Sequence, residues 1–251
     1  MLTDDQLDRY ARHIILREVG GVGQAKLLAA RVLIVGAGGL GAPAALYLAA
    51  AGVGTIGLVD DDTVAVSNLQ RQIIFATADL GRPKVAAAAD TIARLDPAIR
   101  VIPHALRLDD AAARTLVQDY DLILDGTDNF ATRHVVNRAC VALGRTLVSG
   151  AVAQFEGQVA TFKGHLEGAN HPCYQCFVPE ETTAAENCAA LGVLGAVTGV
   201  VGSLMAVEAL KELTGAGESL AGRLVLYDAL SSRFRTIRLA KDPDCPVCSG
   251  A

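Results

Sequence analysis

Apolar residues in this chain gather in short runs separated by longer, alanine-rich stretches of helical spacing. That alternation predicts parallel strands covered by helices. Val32-Leu-Ile-Val35 reads as a buried first strand, with a helix from Gly41 through Ala51 after it. Thr55-Ile-Gly-Leu-Val59, Arg100-Val-Ile-Pro-His104, Asp121-Leu-Ile-Leu124 and Thr146-Leu-Val-Ser-Gly-Ala151 read as the next four strands, and Gln158-Val-Ala-Thr-Phe162 as an additional one. Arg223-Leu-Val-Leu-Tyr227 and Phe234-Arg-Thr-Ile-Arg238 resemble the two strands of a hairpin. Ahead of the first strand, residues 4–17 have helical spacing, with Leu7, Tyr10, Ala11, Ile14 and Ile15 on one side and Arg9, Arg12 and Arg17 as the cations; a second short helix is expected over 23–30. Residues 187–207 carry no formal charge and predict a buried core or interface helix that turns amphipathic where it emerges, at Glu208, Lys211 and Glu212.

The turn between the first strand and its helix carries the first chemistry. Gly36, Gly38, Gly39 and Gly41 lie in the sequence GAGGLG, the spacing of a nucleotide-phosphate turn. One glycine allows the bend, another lets a phosphate approach the backbone, and the last lets the helix pack on the strand. The new helix directs unsatisfied N–H groups at the same spot, which favours an anion. About twenty residues further on, Asp60 ends the second strand, placed for ribose hydroxyls. The fold class expected is α/β, a Rossmann-like, mostly parallel sheet with helices on both faces and an N-terminal helical extension.

Length, composition and charge narrow the setting. With 251 residues the chain can bury a sizeable core in one domain with a small annex. A net charge of −5 argues against general nucleic-acid binding. The polar, charged opening residues do not form a secretion signal, and Gly195 and Gly199 in the uncharged segment have membrane-dimer spacing without a flanking basic cluster, so cytoplasm and no membrane span are expected.

Six cysteines include two CxxC pairs, Cys173/Cys176 and Cys245/Cys248. Without a secretion signal, paired CxxC reads as a metal site. Four thiolates make a closed tetrahedral site, so Zn²⁺ here is structural and ties the end of the chain to the loop after the sheet, as a small C-terminal annex. Cys140, in an apolar helix, reads as core, whereas Cys188 lies in a polar stretch suited to a reactive thiol.

Several polar residues then ask for a phosphate. A long excursion after Asp60 contains Asn68 and Arg71, and Pro83-Lys84 opens an alanine-rich helix. A cation in a first helical turn opposes the helix dipole unless an anion joins it. The fourth strand runs into Asp125-Gly-Thr-Asp128-Asn129, on the ligand side of a parallel sheet. Carboxylates beside phosphate require a cation, and Mg²⁺ on Asp128, less so on Asp125, answers that need; helix capping is the alternative for Thr127, Asp128 and Asn129. No GxxxxGK[ST] sequence occurs, so the P-loop hydrolases are excluded. An NAD(P)-dependent oxidoreductase is the competing reading. It leaves Asn68, Arg71, Lys84 and Asp128 idle, whereas ATP employs them all.

Arg9-Tyr10-Ala11-Arg12, the GAGGLG turn, Asp60, Ser67-Asn68-Leu69-Gln70-Arg71-Gln72, Pro83-Lys84, Asp125-Gly-Thr-Asp128-Asn129 and the paired CxxC resemble, in this order along nearly the whole chain, the MoeB/ThiF/HesA family, bacterial relatives of ubiquitin-activating enzymes. The resemblance implies a homodimer that adenylates the C-terminal Gly-Gly carboxylate of a ubiquitin-like sulfur-carrier protein with ATP and Mg²⁺, for molybdopterin or thiamine sulfur transfer. By the family pattern Gly38 and Gly41 border the phosphates and Asp60 binds ribose. Asn68, Arg71 and Lys84 hold phosphate oxygens, Asp128 holds Mg²⁺, and Arg12 enters the other subunit's site. Cys188 is at the position where relatives carry a cysteine that captures the activated carrier. The same pattern divides the one adenylation domain, 1–251, into an arm (1–30), a nucleotide-binding core (31–151) and a carrier-binding, zinc-bound part (152–251). No rhodanese-like extension follows Ala251, which implies one of the shorter members.

Overall fold

A computed structural model describes residues 2–168, 171–180 and 192–250. Its centre is an eight-stranded sheet in the order β3-β2-β1-β4-β5-β6-β7-β8. Strands β1 (Arg31–Val35), β2 (Thr55–Val59), β3 (Arg100–His104), β4 (Leu122–Asp125) and β5 (Thr146–Ala153) run parallel. β6 (Glu156–Phe162), β7 (Arg223–Asp228) and β8 (Arg233–Arg238) extend the sheet antiparallel, and β7 and β8 form the expected hairpin.

Alternation along β1 explains why both faces are covered. Val32 and Ile34 face one core, shared with helices α3 (Gly20–Ala29), α4 (Gly41–Ala50), α5 (Lys84–Leu95) and α9 (Gly195–Thr214). Leu33 and Val35 face the other, shared with α6 (Asp110–Val117), α7 (Phe130–Ala142) and α8 (Tyr174–Phe177). Period-two side chains on a strand buried on both sides give a continuous apolar run rather than an alternating one. Cys140 is buried in the second core, as expected of a structural thiol.

Helix α9 lies close on β5 and β6 because glycine stands where it crosses. A Cβ on Gly150 would run into Met205, and one on Gly157 into Val201. Met205 and Val201 are fully buried in return, worth roughly 1.5–3 kcal/mol each. The charges at the helix end do not emerge as anticipated. Glu208 is buried and pairs with Lys211 at 2.6 Å, and Glu212 pairs with Lys163 at 2.7 Å. The apolar surroundings are compatible with charge there only because each carboxylate meets a cation. Among the described residues, no helix is long and apolar enough to cross a membrane; residues 187–191 of the uncharged stretch lie outside them.

The N-terminal arm departs from a single helix over 4–17. It breaks at Tyr10 into α1 (Asp4–Arg9) and α2 (Ala11–Ile14), and α3 starts at Gly20 instead of residue 23. Tyr10 is the reason. Its ring is buried against Gly52 and its hydroxyl donates to Asp96 at 2.9 Å, a tertiary anchor that outweighs helix continuity. Leu7, Ile15 and Leu16 remain exposed, so apart from Tyr10 these apolar residues of the arm are not covered by their own chain.

Candidate functional site

β1, β2 and β3 wind to one side while β4 and β5 lie on the other, which opens a crevice beyond the carboxyl ends of β1 and β4. A cavity of about 530 Å³ fills it. Gly36 enters the turn with φ +91°, a left-handed conformation that only glycine adopts without strain, and a Cβ on Gly41 would strike the Gly36 carbonyl. Gly36, Gly38 and Gly39 line the cavity. Gly41 does not; its place is the tight helix–strand contact.

Asp60 sits at the end of β2 and closes the turn. One carboxylate oxygen accepts from the Ala37 N–H at 2.9 Å and the other from the Asp62 N–H at 2.9 Å. Burial pushes the Asp60 carboxyl above its ordinary value, while the Lys84 ammonium, 3.8 Å away, opposes the rise. Lys84 is the first residue of α5 and only 5% exposed. The Thr63–Pro83 bridge and the Lys84 N–H to Asp62 carbonyl bond of 3.0 Å stitch the excursion to this helix start. The Lys84 ammonium meets Asp62 at 2.7 Å. Asn68 caps a short 3-10 turn, Val66–Asn68, by accepting from the Ala65 N–H at 3.0 Å. Arg71 donates to the Ser67 carbonyl at 3.0 Å, and both it and Asn68 line the cavity.

Asp128 also lines the cavity, exposed, and among the described residues its carboxylate accepts no hydrogen bond from the protein. An open carboxylate facing a polar cavity fits an Mg²⁺ ligand. Asp125 corrects the expectation of a second one. It is fully buried and outside the cavity lining, receiving the Thr127 N–H and hydroxyl at 3.0 and 2.7 Å and the Ser149 hydroxyl at 3.1 Å. Helix capping falls to Asn129, whose side chain accepts from the Thr132 N–H at 2.9 Å.

Polar lining residues that the sequence alone does not single out include Arg133 and Gln72. Arg133 is 5% exposed; it donates to the Thr127 carbonyl, reaches the Ser149 hydroxyl at 3.3 Å and lies 3.8 Å from Asp125. Gln72 is buried with a side-chain oxygen that has no hydrogen-bond partner. Arg133 stands one helical turn after Asn129, so a cap followed by an arginine four residues on was the signal available. Arg12 is exposed on α2 and does not line the cavity of its own chain, and Cys188 lies outside the described residues.

A second cavity, a groove of about 580 Å³, adjoins the first. Its apolar lining comes from Phe130, Val152, Tyr174, Phe177, Leu226 and Tyr227. Asp128, Arg133, Ala151 and Val152 line both cavities.

The four CxxC thiols meet away from both cavities. Cys173 and Cys245 sulfurs are 3.6 Å apart, Cys176 and Cys248 3.4 Å, and Cys173 and Cys176 3.9 Å. A tetrahedral ion with metal–sulfur bonds of about 2.3 Å needs sulfurs at such separations, so the set fits zinc. The shared hydrogen bond pushes the Cys173 thiol up and holds the Cys176 thiol down.

The fold and this crevice define an α/β nucleotide-binding protein of the Rossmann type. The sequence model of the ThiF family matches residues 10–247, and the chain belongs to that family. It is 49% identical over 249 residues to the sulfur carrier protein adenylyltransferase of Thermus thermophilus, covering 98% of this chain and 92% of that protein. To the probable adenylyltransferase/sulfurtransferase MoeZ of Mycobacterium tuberculosis it is 50% identical over 247 residues, with 98% of this chain but 63% of that longer protein covered. Among solved structures, E. coli MccB with ATP superposes with a TM-score of 0.83 at 23% identity, over 96% of this chain and 73% of MccB, a likeness of fold.

Proposed function

We propose that this protein is an ATP-dependent adenylyltransferase that activates the C-terminal Gly-Gly carboxylate of a ubiquitin-like sulfur carrier. The observation that carries the reading is the convergence of the glycine turn, Asn68, Arg71, Lys84 and Asp128 on one cavity. Relatives spanning nearly the whole chain are named for this activity. An NAD(P)-dependent oxidoreductase would leave that polar set without work.

A carboxylate is already a nucleophile at neutral pH, so the reaction needs positioning and charge neutralisation rather than a general base. One carboxylate oxygen attacks the α-phosphorus of ATP and the bond to the β-phosphate oxygen breaks. The products are the acyl-adenylate and pyrophosphate, with no net proton transfer. In this reading Asp60 holds the ribose, Gly36, Gly38 and Gly39 admit the phosphates, and Asn68, Arg71 and Lys84 bind their oxygens. Asp128 would hold Mg²⁺, which offsets phosphate charge when bound. Phosphate binding has to draw the Lys84 ammonium from Asp62, an exposed partner that water can replace.

Residues 31–151 supply the nucleotide core, and 152–251 supply most of the carrier groove and the zinc-bound annex. Residues 1–30 form an arm whose exposed Leu7, Ile15 and Leu16 suit a homodimer contact, from which Arg12 reaches the partner's nucleotide. A cytoplasmic setting suits the free thiols of the five described cysteines.

Carrier-dependent ATP–pyrophosphate exchange tests the function. Label should enter ATP only when a carrier ending in Gly-Gly is added, and a carrier lacking the terminal glycine should give none. Exchange indifferent to the carrier, or tight NADH binding without ATP binding, would refute it.

A further inference from the structure

Two anions must meet in this reaction, and the position of one cation is suited to letting them. The nucleotide cavity is lined by Arg71, Lys84, Arg107 and Arg133, and the apolar groove by Arg133, Arg233 and Arg235. Among the described residues, Arg133 is the one cation common to both. On the adenylyltransferase reading, a carboxylate arriving along the groove would enter the nucleotide cavity where the two share Asp128, Arg133, Ala151 and Val152, and there it would face phosphate charge and the Asp128 carboxylate.

The setting of Arg133 suits that task. Its guanidinium is fixed by the Thr127 carbonyl, at the turn that begins the Asp128 loop, and by Ser149 of β5. Ser149 in turn donates to Asp125 at 3.1 Å, so a buried frame determines where the cation points. Asp125 remains 3.8 Å from Arg133 while its oxygens are occupied by Thr127 and Ser149. A buried guanidinium with only a long contact to its counter-ion keeps capacity for a second carboxylate, and its planar donors match one bidentately.

We propose that Arg133 is a positioning and specificity residue that receives the carrier's terminal carboxylate at the junction and selects for its charge. The proposal rests on the adenylyltransferase reading. A purely structural Arg133, serving only as counter-ion to Asp125, would stabilise the fold without recognising the tail.

Binding of a ubiquitin-like sulfur carrier ending in Gly-Gly, prepared with its carboxylate and by semisynthesis as the carboxamide, separates these roles. Both forms are titrated into the wild type and Arg133→Gln with a non-hydrolysable Mg·ATP analogue present. The wild type should prefer the carboxylate by on the order of tenfold, and Arg133→Gln, with the analogue held at saturation for each protein, should bind both forms about equally. An equal carboxylate preference in both proteins overturns the proposal. Should Arg133→Gln fail to fold, the wild-type complex with the carrier and analogue decides. Guanidinium N–H groups within about 3.2 Å of the terminal carboxylate support the assignment, and a carboxylate out of their reach overturns it. Wild type that gives no carrier-dependent exchange would instead remove the adenylyltransferase reading itself.

Discussion

The two halves of the sheet are built to different rules. In the parallel half, β1, β2 and β4 are buried on both faces, and their carboxyl ends carry the polar residues of the nucleotide cavity. In the antiparallel half, every residue of β8 is exposed and β7 is only partly covered. Parallel strands need helical crossovers, so both faces are covered and the chemistry is left to the strand ends. Antiparallel strands need only a hairpin, which leaves a sheet face free to meet another molecule. β5 belongs to both regimes, parallel to β4 and antiparallel to β6, and its Ala151 and Val152 line both cavities. On the proposed function, the contrast predicts that nucleotide handling and carrier handling are separable by mutation, except at Asp128, Arg133, Ala151 and Val152, which line both cavities.

The largest expected effect breaks the parallel half alone. Lys84→Ala or Arg71→Ala should slow adenylation by on the order of 10²-fold or more, read as ATP–pyrophosphate exchange, with the carrier KM little changed. A comparable loss confined to the carrier KM would merge the two halves. Zinc comes next. One zinc per chain is expected by metal analysis, and Cys176→Ser or strong chelation should cost about 3 kcal/mol or more of stability in denaturant titrations. A metal-free protein of unchanged stability, with the cysteines paired as disulfides, would end the zinc assignment.

A milder perturbation belongs to the antiparallel half. Tyr227 stacks on Phe234 with ring centroids 4.5 Å apart and lines the groove. Tyr227→Ala should raise the carrier KM by on the order of tenfold and leave Mg·ATP affinity intact. The smallest effect concerns the arm. Burial, with the hydrogen bond to Asp96 adding to it, pushes Tyr10 from 10.0 up to about 12. A folded-state value raised in this way means stability is complete below pH 10 and falls between pH 10 and about 12. Protection factors of the α1 and α2 amides, taken relative to the base-catalysed intrinsic rate, should fall in that window, and Tyr10→Phe should abolish that fall. An arm indifferent to alkaline pH would show that Tyr10 is not its anchor.

Much of this was legible in the sequence for physical reasons. Runs buried on both faces, such as Val32–Val35, can be only strands or buried helices, and their length and glycine boundaries decide for strands. The glycine turn, Lys84 at a helix start and the CxxC pairs are local signals, and the structure places each where local physics puts it. What escaped depends on contacts distant in sequence. Tyr10 breaks its helix to reach Asp96, Glu208 is buried and Glu212 half-buried where cations meet them, and Asp125 turns inward to accept from Thr127 and Ser149. Arg133 escaped for the same reason: its spacing from the Asn129 cap is a local signal, but its place between two cavities depends on strands and loops distant in sequence.

The most direct measurement is a crystal structure with a non-hydrolysable ATP analogue, Mg²⁺ and a Gly-Gly carrier. The account predicts phosphate oxygens on Arg71 and Lys84, a cation on Asp128, and the carrier's terminal carboxylate within about 3.5 Å of the α-phosphorus. Phosphates bound with Arg71, Lys84 and Asp128 turned away, or a carrier tail ending outside the groove, would contradict it.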